Sequence, residues 1–139
     1  MADSSDIDSA LVAKLSGDVQ LTTLMPDGVF FDQAPQGATK FVLLSIVDEA
    51  DFPIFQKRGF EDHTYLVKAV ELSSSGANVK TAAARIDALL EGGTLTVTGY
   101  NVIVMQRVAR VRATEVDDVD PSIRWQHRGG RYEIVATAP

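Results

Sequence analysis

The chain contains no cysteine, one tryptophan and two histidines in 139 residues. Without cysteine there is no disulfide framework and no thiolate metal site, which fits a reducing cytoplasm. No apolar run approaches the ~20 residues that a membrane helix needs, so no membrane partner is expected. The amino terminus, Met-Ala-Asp-Ser-Ser-Asp, has neither a basic stretch nor an apolar one, so no secretory signal is expected. The two histidines, His63 and His127, fall in different strand candidates. No Gly-x-Ser-x-Gly is present to raise a serine nucleophile, and no Gly-rich loop ends in Gly-Lys-Ser/Thr to cradle a phosphate. Gly92-Gly93-Thr94 follows a helix and precedes a strand, the wrong order for an anion site at a helix amino terminus. These absences predict a chain that is not an enzyme, with no catalytic residue, no cofactor and no metal.

Positive charge is also short. The net charge is −6, whereas a general nucleic-acid binder should be basic. The imbalance is uneven: residues 1–62 carry eleven acids against four bases, and residues 63–139 carry eight against nine. Glu115 to Asp120 is a dense acidic run, but it lacks the central glycine and terminal glutamate that close a calcium loop. A solvated acidic loop is the better reading.

What is present is an ordinary globular composition, with 45% hydrophobic and 23% charged residues. The length predicts a single domain over 1–139, burying about two thirds of its unfolded surface. Residues 1–8 read as a polar, flexible leader. The organising stretch is Asn78 to Glu91. Val79, Ala82, Ala83, Ile86, Leu89 and Leu90 recur on one helical face, and Lys80, Thr81, Arg85, Asp87 and Glu91 on the other. Asn78 is the expected amino-terminal cap, and Gly92 the left-handed stop. A narrow stripe, half of it alanine, suits a helix laid flat on a sheet.

Before that helix, the pattern predicts a first helix from about Ser9 to Ser16 on Leu11, Val12 and Leu15. Asp18 then caps a short turn that points Val19, Leu21 and Leu24 inward. Pro26-Asp27-Gly28 is a tight turn, and Val29-Phe30-Phe31 a short strand. Phe41 to Val47 reads as a strand apolar on both faces, covered by helices on one side and by another subunit on the other. Asp48 to Gly59 reads as a charged loop, followed by a strand over Glu61–Leu72. After the central helix, a hairpin is expected, with Leu95 and Val97 in one strand and Val102 to Ala113 in the other. In the last strand Ile123, Trp125 and His127 are odd-numbered, but Tyr132, Ile134 and Ala136 are even. One residue must be absorbed between the sets, and Gly129-Gly130 suits a bulge or a two-residue turn. The fold class is α+β: a mainly antiparallel sheet, a central helix on one face and a short N-terminal helical region.

Two surfaces stand out. Phe52, Ile54 and Phe55, with Phe60 beyond them, are apolar where a loop should be polar. They either fold back on the core or form subunit or partner contacts. Arg107, Arg110, Arg112, Arg124 and Arg128, with Arg131 nearby, form a basic cluster. It is either a surface facing DNA or an acidic partner, or a solvated sheet face partly paired with Glu115 to Asp120.

The order of elements carries a resemblance. A helix and short turn lead into Gly28 to Ala38, Gly-Val-Phe-Phe-Asp-Gln-Ala-Pro-Gln-Gly-Ala. An apolar strand, a charged stretch, a long strand and the central helix follow, then Leu90 to Leu95, Leu-Glu-Gly-Gly-Thr-Leu. This resembles the tail-completion, or tail-terminator, proteins of long-tailed double-stranded DNA phages and phage-like particles. The chain departs from the family at Lys40-Phe41, where members often place proline and tyrosine, and at Ala69-Val70-Glu71, where many carry tryptophan. The resemblance implies a structural virion protein, assembled in the host cytoplasm and placed at the head-proximal end of the tail. It implies a homo-oligomeric ring, usually of six, that caps the tail tube, ends its polymerisation and meets the head–tail connector. DNA would pass through the lumen without sequence-specific binding. The alternative from the residues alone is a cytoplasmic α+β domain that binds a small ligand or a regulatory protein.

Overall fold

The computed structural model describes residues 3–54 and 57–137. The fold is α+β, with three helices and a five-stranded sheet among the described residues. Helix α1 spans Ser5–Ser16, α2 Val19–Leu24 and α3 Ala77–Leu90; the strands are β1 Val29–Phe31, β2 Lys40–Ile54, β3 Lys57–Ser73, β4 Asn101–Val116 and β5 Arg124–Thr137. The order across the sheet is β1-β2-β3-β5-β4. Only β1 runs parallel to its neighbour, β2; the other pairings are antiparallel.

Helix α1 starts earlier than its apolar spacing predicts, so the leader is shorter than eight residues. Two carboxylates cap the first turn: Asp3 Oδ1 accepts from Ser5 N–H at 2.9 Å, and Asp6 Oδ2 accepts from Asp3 N–H at 3.0 Å. That satisfies amides a helix start leaves open. The extra turn brings Ile7 into line with Leu11 and Leu15, four residues apart, and all three are fully buried. In α2, Asp18 caps as predicted, accepting from Leu21 N–H at 2.9 Å. Leu21 is buried and Leu24 is half-buried, but Val19 is 76% exposed rather than inward. A six-residue helix can bury one edge only, and the residue next to its cap lies off that edge.

Helix α3 buries Val79, Ala82, Ile86 and Leu90, the core of the expected stripe; Ala83 and Leu89 flank it half-buried. Asn78 does not cap it. Its side-chain amide donates instead to the buried Glu71 at 3.2 Å, and Gly76 holds the cap position. Gly92 stops the helix at φ 67°, and its N–H reaches Met105 O at 2.9 Å. One apolar core joins all three helices to Val42, Leu44, Tyr65, Val67, Ala69, Met105, Tyr132 and Ile134. The helices therefore all lie on the same face of the sheet.

Three segments differ from expectation. Asp48 to Gly59 is not a loop: β2 and β3 stay paired as far as Ile54 and Lys57, forming a two-stranded arm. β5 pairs with β3 only from Glu61 onward, so the arm outruns the sheet. Its charged residues read as loop because a ribbon solvated on both faces needs no apolar alternation. Secondly, the hairpin expected after Gly93 does not form. Residues 91–100 make a turn-rich loop with one bridge, Val97 to Tyr100, and β4 pairs along its length with β5.

Thirdly, β5 carries no bulge. Its register with β3 is unbroken through Gly129 and Gly130. The odd and even sets point to opposite faces: Tyr132, Ile134 and Ala136 face the helices, whereas Trp125 and His127 face away from them. No residue has to be absorbed in β5; a separate bulge lies in β4, at Val108, between the Arg107–Tyr132 and Ala109–Arg131 pairs. The glycines have another cause. A Cβ on Gly129 would lie 2.0 Å from Val67 O, and one on Gly130 2.8 Å from Ala109 O. The neighbouring strands come too close there for any side chain.

Candidate assembly surfaces

Facing away from the helices, the sheet presents Phe41, Leu43, Leu66, Val70, Trp125, His127 and Val135. Phe41 stands edge-on between Phe30 and Trp125, with ring centroids 6.3 Å apart in both pairs. Phe41 and Val70 are buried by their neighbours, while Leu43, Leu66 and Trp125 stay half-buried. The described helices leave this face open. His127 lies on it, 3.1 Å from Glu115. Burial, aided by the charge of Lys68, lowers its pKa.

The arm continues the same face. Phe52 and Phe60 are cross-strand partners, 52% and 37% exposed. They do not fold back on the core. Phe55 and the side chain of Ile54 lie outside the described residues. A buried polar network anchors the arm's base. His63 is within 3.1 Å of Glu61 and 3.3 Å of Glu49. Tyr100 donates to Glu61 at 3.2 Å, and Tyr65 donates to Asp8 at 2.5 Å. Burial pushes the Asp8 carboxyl above its ordinary range against the Tyr65 hydrogen bond, and repulsion from Glu49 and Asp32 adds to it. Asp62 is also raised, by burial and by repulsion from Glu133 and Asp48. Among the described residues this corner holds more carboxylates than bases, with His63 the base set among them.

The arginines gather on the other side of the molecule. A groove of about 430 Å³ lies between α3 and the β4–β5 ribbon, lined by Lys80, Arg107, Arg110, Arg112 and Arg128. The bulge at Val108 creates this alignment. Without the extra residue, Arg107 would face the opposite way from Arg110 and Arg112. Asp87 is the groove's carboxylate and is already engaged, accepting from Tyr132 at 3.0 Å and pairing with Arg107 at 2.9 Å. Burial and that bond push the Tyr132 phenol up, so it stays a donor. Among the described residues Lys80, Arg110, Arg112 and Arg128 have no ion-pair partner. Arg124, at the start of β5, does not line the groove. Arg131 faces the open side of the sheet. The sequence-based cluster missed Lys80, which helical periodicity places simply on the polar face of α3; only its proximity to β4 gives it a role.

The edges are blunted. In β4 the bulge residues Ile103 and Val108 are half-exposed, and they interrupt the outer edge of the sheet. Bulges there hinder open-ended strand pairing. No described helix is long and apolar enough to cross a membrane.

Comparison with known proteins agrees with this architecture. The profile of the family described as tail completion protein gp17 matches residues 9–135. No curated protein matches. Among solved structures, a chain from the virion of a native gene transfer agent particle superposes with a TM-score of 0.73 at 20% identity, covering 96% of this chain and 98% of that one. A second solved chain superposes with a TM-score of 0.57 at 12% identity, over 100% of this chain and 97% of that one. The family match spans nearly the whole domain: the chain belongs to the tail completion protein gp17 family and is a structural protein of a virion tail.

Proposed function

We propose that this protein forms a ring, most simply of six copies, that caps the tail tube, stops its polymerisation and joins it to the head connector. The observation that carries the reading is the one-sided cover of the sheet. Three helices shield one face, while the other face and the arm extending it keep Phe52, Phe60, Leu43 and Trp125 open to contact. Repeating one heterologous interface around a closed ring covers such surfaces without leaving an edge for further growth. Phe52 and Phe60, with Ile54 and Phe55 beside them in sequence, are the proposed contacts between subunits or with the tube. The ring sits at the head-proximal end of the tail, and DNA passes through its lumen without base recognition. Assembly takes place in the host cytoplasm.

The reading is tested by adding the protein to polymerising tail-tube protein and imaging the products. The expected result is arrested growth, with a ring-shaped density at one end of each tube. Tubes that lengthen at the same rate with bare ends would refute it.

A further inference from the structure

The two charge clusters lie toward opposite edges of the sheet. The basic groove lies between α3 and the β5–β4 ribbon; the acidic corner wraps the base of the β2–β3 arm, with Asp8, Asp32 and Glu49 grouped on the helix side and Asp48 and Asp62 on the open side. Three strand spacings, ~14 Å, separate β2 from β4, so one chain cannot fold its corner onto its own groove. Each cluster is unfavourable alone. Asp8 and Asp62 are held above their ordinary range partly by neighbouring carboxylates. Across the molecule, four arginines and a lysine line one groove, where Asp87, the lining carboxylate among the described residues, is already engaged by Arg107 and Tyr132.

We propose that the groove is the docking site for the acidic corner of a second copy of this chain. The contact is head-to-tail: the corner of one subunit enters the groove of the next, and like-charge repulsion in both is exchanged for cross-subunit ion pairs. The base of the arm is the part that fits, because its carboxylates have the sign opposite to the groove. Duplex DNA is the less fitting occupant. The groove is a slot between a helix and a ribbon, sized for a few side chains, and a chain of net charge −6 repels a polyanion. The proposal rests on the ring reading and names its interface.

The test uses two charge-reversed chains. One carries Arg110→Glu with Arg112→Glu; the other carries Asp48→Lys with Glu49→Lys. Folding is checked by circular dichroism, and mass by light scattering, free and on tail tubes. Each reversed chain alone should lose the assembled species. Mixing the two should restore it, because every corner then meets a groove of opposite sign in an alternating ring. High salt should weaken wild-type assembly. If a reversed chain does not fold, Arg110→Gln with Arg112→Gln is read instead, with assembly expected to weaken about tenfold. Wild-type-like assembly of either folded reversed chain overturns the proposal and leaves the ring reading intact. So does a folded mixture that stays unassembled. Normal assembly combined with lost duplex-DNA retention in the arginine variants would assign the groove to DNA and overturn it too. A wild type that is monomeric both free and on tubes would overturn the ring reading as well.

Discussion

Asp18 ties two pieces of the helical layer together. It caps α2 through Leu21 and takes a two-pronged contact from Arg85 of α3, Nε to Oδ2 at 2.9 Å and Nη2 to Oδ1 at 2.6 Å. The Arg85 hydrogen bond is the main cause that holds its carboxyl below the ordinary 3.8. A carboxyl depressed in the folded state adds stability above its unfolded pKa and loses it as pH falls through the folded value. Asp18→Asn should therefore cost about 1–2 kcal/mol near neutrality, measured by urea unfolding. The gap to wild type should close as the pH drops below 3.8. A gap that persists unchanged to low pH would show that the charge contributes nothing. Gly129 gives a second residue-scale prediction. Its missing Cβ admits the Val67 carbonyl, so Gly129→Ala must separate β3 and β5 locally. A loss of about 2 kcal/mol or more is expected, and an unchanged melting curve would contradict the close approach. Asp18 was legible in sequence because a cap acts within three residues. The role of Gly129 was not, because it is set by Val67, sixty-two residues away in the chain.

At the scale of elements, periodicity located α3, and with it the face of the sheet that is covered. Ile86→Asp would place an unpaired charge in the fully buried centre of that face. A destabilisation of about 3 kcal/mol or more is expected; native-like melting would mean the face is assigned wrongly. The arm shows where periodicity fails. Asp48, Glu49 and Asp51 read as loop residues because a ribbon with solvent on both sides needs no apolar alternation. The signal that remained was the aromatic content, and Phe52 and Phe60 prove to be cross-strand partners. Phe52→Ser with Phe60→Ser should leave far-ultraviolet circular dichroism and melting near wild type while weakening self-association severalfold in sedimentation. Loss of folding in parallel with assembly would show that the pair belongs to the core instead. The groove shows a different failure. The arginines were visible as a cluster, but their common face depends on the Val108 bulge. That irregularity is revealed only by the pairing of β4 with β5.

At the scale of the whole molecule, asymmetry is the organising property. Helices cover one side of the sheet and aromatic residues remain on the other. Carboxylates gather at one corner and arginines line the opposite edge. Each asymmetry is what the proposed repeated, directional contact would use. Membership of the tail completion family makes the chain a protein of a virion tail. The α+β class, the single helical layer and the family were all legible in the sequence, because they rest on local periodicity and element order. The geometry of assembly was not, because it depends on which residues meet across the sheet. The most direct test of the account is the mass of the purified protein by mass photometry, free and bound to tail tubes. The account predicts one discrete closed oligomer, at a mass six times the 15.0 kDa chain if six copies close it, seated at tube ends. Monomers in both states, beside bare and still-growing tube ends, would contradict it.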